Sequence, residues 1–203
     1  MSPANLVLLP GYSAVPPRHV AAVVTSLEML SRPPERPAQP FPAGVTLEPL
    51  ERTIEAYRRL YRAVGTEWLW FSRLVMADET LQAILDNPQV EFFALRRDGQ
   101  DAGILELDFS QPGECELAFF GVAPGLVGTG VGRALMNEAI VRAWSRPIRR
   151  FWVHTCTLDH PAALAFYRRS GFVPFAFQVE VFPDPRLTGA LPRDCSRHVP
   201  LLD

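Results

Sequence analysis

Apolar and polar residues alternate along several short stretches of the chain, and this period of two predicts β-strands. Other stretches carry apolar residues at every third or fourth position, as expected of a helix with one buried face. Strands are predicted within 44–51, 90–109, 113–124, 148–158 and 172–182, the second of these folded back as a hairpin at Asp98-Gly99. Helices are predicted within 52–75 (interrupted near Gly65), 77–88, 132–144 and 160–171. The order predicts a mixed α/β (α+β) fold with one central sheet flanked by helices.

Capping and helix-terminating residues indicate where two of the predicted helices begin and end. Asp78 or Thr80 is a candidate N-cap for the helix within 77–88. Pro161 is expected in the first turn of the last helix and Gly171 at its end.

The N-terminal part of the chain is less regular. In the stretch PPRHVAAVVTSLEML (16–30), the apolar spacing fits one helical face, while the β-branched run at 23–25 suits a strand, so both remain open. The proline-rich stretch SRPPERPAQPFPAG (31–44) cannot continue a helix and is typical of an extended linker. We therefore expect an N-terminal accessory segment with its linker over residues 1–43 and a catalytic or binding domain over residues 44–203.

Composition narrows the class of protein. The 203 residues carry a formal net charge of −2 and 48% hydrophobic residues, which suits a globular domain and gives no indication of nucleic-acid binding. We find no signal-peptide pattern and no apolar run long enough for a membrane span, so we expect a cytoplasmic protein. The three cysteines and four histidines lack disulfide or metal-ligand spacing, and no metal is expected.

The most informative segment is VAPGLVGTGVGRALM (122–136), which holds four glycines just before a predicted helix. Its G-x-G-x-G spacing does not fit the dinucleotide fingerprint, and Gly132 is followed by Arg-Ala instead of the Lys-Ser/Thr of a P-loop. A plain strand-to-helix turn would need a single glycine. The remaining interpretation is a pyrophosphate cradle, in which unpaired N–H groups and the positive end of the helix dipole face a phosphate.

Two motifs resemble the GNAT superfamily of acyl-CoA-dependent N-acetyltransferases. The stretch FGVAPGLVGTGVGRALM resembles the family's first glycine motif, with Gly130 and Gly132 at its two small positions. The stretch HPAALAFYRRSGF resembles a later motif through Ala163, Tyr167 and Gly171-Phe172. The resemblance covers roughly two thirds of the chain and implies a splayed sheet that binds acetyl-CoA and transfers its acetyl group directly to a primary amine.

The resemblance also implies a set of residues that bind the coenzyme. They are Val122, Ala123, Val127, Gly128, Thr129, Gly130, Val131, Gly132, Arg133 and His160. Two of them depart from the family's pattern, since Val127 replaces a Gln or Arg and His160 replaces an Asn. Backbone donors survive both replacements, because every residue except proline has an N–H group.

The resemblance assigns catalytic roles as well. Tyr167 is placed near the thioester sulfur as the acid, and the Val122 N–H near the thioester carbonyl. Glu116 matches the strand glutamate that serves as base in histone-type members. Residue chemistry leaves alternatives open: Tyr167 suits a core aromatic, Glu116 a solvated strand face, and His154 is a second candidate base because its pKa lies nearest to neutral.

The acceptor is expected to be a small-molecule or peptide amine, met in part by Trp68, Trp70 or Phe71. Homodimers are common in the family, so a homodimer is a possible state. The alternative function is a degenerate GNAT fold that binds CoA or a partner protein without catalysis, and the departures at Val127 and His160 favour it.

Overall fold

A computed structural model describes residues 8–34, 37 and 39–202. The strands are β1 (His19–Met29), β2 (Val45–Pro49), β3 (Val90–Arg97), β4 (Gln100–Asp108), β5 (Glu114–Val122), β6 (Arg150–Cys156) and β7 (Val173–Pro183). The helices are α1 (Ile54–Gly65), α2 (Ser72–Val75), α3 (Asp78–Asp86), α4 (Val131–Ala143) and α5 (Ala163–Ser170). Short 3₁₀ helices lie at Thr66–Trp68 and Pro124–Leu126. None of these helices has the length and apolar character needed to cross a membrane.

The strands form one sheet in the order β2-β3-β4-β5-β6-β1-β7. Neighbouring strands are antiparallel except β5 and β6, which are parallel. These two strands pair only where Glu114–Glu116 lie beside Arg150–Trp152, and beyond that point they diverge. The sheet is therefore splayed, as the family resemblance implies, and the gap lies between the carboxyl-terminal halves of β5 and β6.

The ambiguous N-terminal stretch is a strand. β1 lies between β6 and β7 and pairs antiparallel with both, Val24 being opposite Cys156 on one side and Gln178 on the other. Residues 19–29 are thus an integral part of the sheet, whereas the sequence placed them in an accessory segment ahead of residue 44. The local sequence pattern could not decide between helix and strand here, because the strand forms by pairing with residues of β6 and β7 that lie more than 120 positions away.

Helices cover both faces of the sheet. On one face, α1 and α3 pack Tyr57, Leu60 and Leu81 against Ile104 of β4. On the other face, α4 packs Leu135 and its neighbours against the apolar positions of β4 and β5. The alternation predicted from sequence explains this division, because successive residues of a strand point to opposite faces.

Two predicted helix ends differ in detail. α3 begins at Asp78, its N-cap is Ala77, and no side chain caps it. Asp78 instead forms an ion pair with Arg58 of α1 at 2.7 Å. Pro161 precedes α5, whose N-cap is Ala162, while Gly171 ends that helix in the left-handed conformation as predicted.

Candidate active site

The divergence of β5 and β6 opens a cavity of about 670 Å³. One end is formed by the glycine segment and α5, and we call it the coenzyme end because the family resemblance places the coenzyme there. The other end is formed by the 3₁₀ helix at Thr66–Trp68, the start of α2, β6 and β7. The two ends meet at the exposed edge of β5, from Leu117 to Val122. A ligand bound at the start of α4 can therefore extend through the gap between β5 and β6 and contact side chains on both faces of the sheet.

The glycine segment presents free backbone donors to this cavity. Gly130 is the N-cap of α4 with φ of +85°, a conformation that glycine adopts without strain. Arg133 and Ala134 donate their N–H groups to the Gly130 carbonyl. Within the described part of the chain, the N–H groups of Gly128, Gly130, Val131 and Gly132 have no hydrogen-bond acceptor. Such a cluster at the positive end of a 13-residue helix suits an anion.

The cavity is open above Gly132. A Cβ atom built at Gly132 meets no heavy atom within 4 Å, so packing inside the protein does not require a glycine there. At Gly130 the same construction meets Nε2 of Gln39, which donates a hydrogen bond to the Gly130 carbonyl at 3.3 Å. The proline-rich segment thus contacts the coenzyme end through one flexible side chain and leaves Gly128 and Gly132 uncovered.

Most of the coenzyme-binding residues predicted from sequence line the cavity. They are Val122, Val127, Gly128, Gly130, Gly132, Arg133 and His160. Ala123, Thr129 and Val131 are absent from the lining. Val131 is fully buried in the core, and the Thr129 hydroxyl donates to the Leu126 carbonyl at 2.7 Å. These three residues shape the turn and do not face a ligand with their side chains.

The edge of β5 supplies a further backbone donor. Ala123 donates its N–H group to the Ala102 carbonyl of the neighbouring strand at 2.8 Å. Since N–H groups alternate between the two edges of an antiparallel strand, the Val122 N–H points away from β4 and into the gap. This donor lies at the divergence of β5 and β6, as the resemblance implies for the group that contacts a thioester carbonyl.

Tyr167 lines the cavity from α5. Its ring packs against Phe120 and Phe172, and the residue is 7% exposed. Burial, aided by the negative charge of Asp159, raises the pKa of Tyr167 far above its ordinary value of 10. The hydroxyl is therefore protonated at neutral pH and is available as a hydrogen-bond donor to a ligand in the cavity.

The two candidate bases lie side by side. His154 Nδ1 is 3.4 Å from Glu116 Oε1, across the last paired segment of β5 and β6. This hydrogen bond raises the pKa of His154 above its ordinary value of 6.5, against the lowering effect of burial. His154 lines the cavity and its side chain is half exposed, whereas Glu116 does not line the cavity. The imidazole of His154 lines the cavity, and the carboxylate of Glu116 contacts the imidazole from outside it.

Aromatic side chains form the wall opposite the coenzyme end. Trp68, Trp70 and Phe71 all line the cavity, and Phe71 packs against Phe182 of β7 with ring centroids 5.0 Å apart. Trp70 fits because Gly65 and Gly121 lack side chains: a Cβ at Gly65 would lie 2.5 Å from Trp70. These aromatic side chains therefore both pack against their neighbours and line the cavity.

Asp159 is a site residue that the sequence patterns did not single out. Its carboxylate accepts hydrogen bonds from the Thr155 hydroxyl and the Cys156 N–H through Oδ2, and from Trp70 Nε1 through Oδ1. It therefore links the end of β6 to the aromatic wall. The signal available in the sequence was an acidic residue just after a predicted strand, which is too common to be selective.

Two histidines flank Trp68 at the rim. The rings of His160 and His198 lie 5.3 Å and 5.6 Å from the Trp68 ring, centroid to centroid. The His160 Nδ1 accepts a hydrogen bond from the Ala162 N–H, in the turn just ahead of α5. No group of three His, Cys, Asp or Glu side chains capable of holding a metal occurs among the residues that the structure describes.

Known structures share this architecture. A GCN5-related N-acetyltransferase from Sphaerobacter thermophilus matches with a TM-score of 0.58 and 18% identity over 83% of this chain and 52% of the other. A GCN5-related N-acetyltransferase from Kribbella flavida matches with a TM-score of 0.53 and 20% identity, covering 84% and 62%. The chain thus spans about half to two thirds of their length. An aminoglycoside acetyltransferase from an uncultured soil metagenomic sample matches with a TM-score of 0.52 and 16% identity, covering 63% and 87%.

These likenesses concern the fold, and the family rests on sequence. No curated protein matches the chain. A family model described as "Acetyltransferase (GNAT) family" matches residues 51–172, which is more than half of the chain and includes both motifs. The splayed sheet, the free amides at the start of α4 and this match agree, and the chain belongs to the GNAT acetyltransferase family.

Proposed function

We propose that this protein is an N-acetyltransferase that moves an acetyl group from acetyl-CoA directly to a primary amine. One observation supports this most: a single cavity joins the free amides of α4 to Tyr167 on one side of β5 and to His154 on the other. A protein that only binds CoA would need the free amides of α4 and neither of the other two groups. The paired His154 and Glu116 add the acid–base chemistry that transfer to an amine requires.

The coenzyme end fits a diphosphate. The amides of Gly128, Gly130, Val131 and Gly132 would donate to phosphate oxygens, and Arg133 adds a positive charge at the cavity wall. Val127 is 46% exposed and lines the cavity, so it supplies apolar contact where a polar side chain is usual in the family. The bound coenzyme supplies the acetyl thioester.

His154 is the proposed base. An alkylammonium with a pKa near 10.4 loses its proton at pH 7 at a cost of about 4.6 kcal/mol, so a nearby acceptor is needed. The imidazole of His154 takes this proton, and the Glu116 carboxylate stabilises the imidazolium that results. Glu116 is then a positioning residue, because it acts through His154.

Tyr167 and Val122 act on the thioester. As the C–N bond forms and the C–S bond breaks, the Val122 N–H donates to the carbonyl oxygen, where negative charge develops. The Tyr167 hydroxyl donates its proton to the departing sulfur. The second proton that the amine loses on becoming an amide restores the hydroxyl, so the exchange balances.

The test is an assay of free CoA thiol with acetyl-CoA and a mixed panel of amines, with the acetylated product identified by mass. Amine-dependent thiol release with a matching N-acetyl product supports the proposal. CoA binding by calorimetry without thiol release on any amine supports the binding module instead, and contradicts catalysis.

A further inference from the structure

We infer that the acceptor is an apolar amine without an anionic group, such as an arylalkylamine. This inference rests on the proposed function, because it concerns the acceptor half of the same cavity. The walls of that half and the charges around it favour such an acceptor.

The walls of the acceptor half are largely apolar. Trp68, Trp70 and Phe71 approach from the α1–α2 side, and Val24 and Phe182 from β1 and β7. Hydroxyl-rich acceptors need a hydrogen-bond partner for most of their polar groups when they are buried. This surface offers few such partners, so it favours a hydrocarbon or aromatic body and disfavours polyols.

The charged side chains around the cavity narrow the class of acceptor further. The arginines that line the cavity among the described residues are Arg133 of α4 and Arg169 of α5, both at the coenzyme end. The carboxylates that line the acceptor half among the described residues are Asp159 and Glu180, and its other ionisable side chains are His154, Cys156 and Tyr61. Asp159 is partly buried and Glu180 is exposed, so a carboxylate or phosphate on the acceptor would lie beside two negative charges at the mouth of the cavity, which disfavours its binding.

Glu180 is the group best placed to meet an ammonium. Both oxygens of Asp159 already accept hydrogen bonds from within the protein. Glu180, on β7, forms no hydrogen bond or ion pair among the described residues and is close enough to His154 for their charges to interact. It therefore attracts a cationic amine to the side of the base and repels an anionic one.

The sharpest test compares two acceptors that differ by one carboxylate, phenethylamine and phenylalanine. We expect kcat/KM for phenethylamine to exceed that for phenylalanine by about 10-fold or more, because the carboxylate of phenylalanine would lie beside Asp159 and Glu180. Ethanolamine serves as a polar acceptor and should be similarly poor. The chain contains no lysine, so N-acetyl-lysine cannot arise from the enzyme and confuse the product analysis.

A variant separates charge from shape. Glu180→Gln removes the negative charge and keeps the size, so the preference for phenethylamine over phenylalanine should narrow at least about fivefold, a change worth roughly 1 kcal/mol. Glu79→Gln, an exposed change on α3, is the matched control and should leave the ratio unchanged. Both folds are checked by their melting temperatures.

The outcomes are distinct. Thiol release with phenylalanine or ethanolamine equal to that with phenethylamine overturns this inference and leaves the proposed acetyltransferase standing. A ratio that Glu180→Gln does not change overturns the role of Glu180. If CoA binds but none of the amines causes thiol release, both proposals are overturned.

Discussion

The chemistry proposed here depends on a few side chains whose neighbours set their protonation. Tyr167 keeps its proton because it is buried, and His154 holds its proton more tightly because Glu116 lies beside it. One group is thus prepared to donate and the other to accept, on opposite faces of the sheet. The two predictions at this scale test each group separately.

Tyr167→Phe should lower kcat by about 10²–10⁴-fold, the usual contribution of a general acid, and leave CoA affinity nearly unchanged. The ring and its packing against Phe120 and Phe172 remain, so stability should hold. Steady-state thiol release and calorimetry measure the two effects. Tyr12→Phe makes the same change at an exposed position and should have no effect. Full activity in Tyr167→Phe would assign Tyr167 to the core alone.

The pH profile of kcat tests His154. A base must be deprotonated, so kcat should rise with pH through a pKa above 6.5. Glu116→Gln removes the carboxylate that raises this pKa, so the rising limb should move to lower pH. His154→Ala should abolish the limb. If Glu116→Gln abolishes activity and His154→Ala does not, Glu116 is the base and the order of the pair is reversed.

Part of this site could be predicted from the sequence. The family resemblance made Glu116 a candidate base and the near-neutral pKa of histidine made His154 another, but the point at which β5 and β6 diverge decides which of them lines the cavity. That point depends on pairing between strands and is not visible in either segment. Asp159 was missed for a similar reason, since its role depends on contact with Trp70, 89 positions away.

At the scale of elements, the start of α4 carries the coenzyme proposal. Its glycines were predicted from sequence as a cradle, and the structure leaves four amides there without an acceptor among the described residues. Strands and helices were also predicted well wherever period and turn residues agreed, as at the Asp98-Gly99 hairpin. Helix caps were predicted less well, because Asp78 found an ion-pair partner on another helix.

Gly132→Ala should stabilise the protein and weaken CoA binding. A Cβ at this position meets nothing within 4 Å, and alanine in a helix is favoured over glycine by about 1 kcal/mol at most. The same methyl group lies where a phosphate must approach the backbone. Thermal melting and calorimetry measure the two effects. Gly125→Ala is the control: its Cβ also meets nothing, and the residue does not line the cavity. Equal CoA affinity in both variants would contradict the cradle.

At the scale of the whole molecule, the N-terminus and C-terminus complete the site. β1 fills the position between β6 and β7, and the tail after β7 reaches back to the 3₁₀ helix that carries Trp68. The sequence predicted neither contact, because both join distant parts of the chain. Each can be tested by its effect on stability.

A chain lacking residues 1–15 should fold as the full chain does, whereas one lacking residues 1–30 should show no cooperative unfolding. Residues 8–15 are exposed, while β1 is an inner strand with neighbours on both edges. Circular dichroism melts of the two truncations measure this. A stable, CoA-binding chain without residues 1–30 would show that the first strand is accessory after all.

Arg186→Met should destabilise the protein by about 3–5 kcal/mol, because it leaves Asp184 buried without its partner. Arg186 donates to both Asp184 oxygens and to the carbonyl groups of Ser196, Val199 and Pro200, which hold the tail. Chemical denaturation measures the loss. The Asp184→Asn, Arg186→Met double variant should recover part of it, and failure to recover would assign the cost to the tail contacts.

The central claim is that backbone amides at the start of α4 bind the diphosphate of CoA. Titration calorimetry with CoA and with pantetheine, which lacks the diphosphate and nucleotide, tests it most directly. The claim predicts a clear binding isotherm for CoA and affinity at least about 100-fold lower for pantetheine, as expected when several charge-assisted hydrogen bonds are lost. Equal affinities, or no heat with CoA on folded protein, would contradict it.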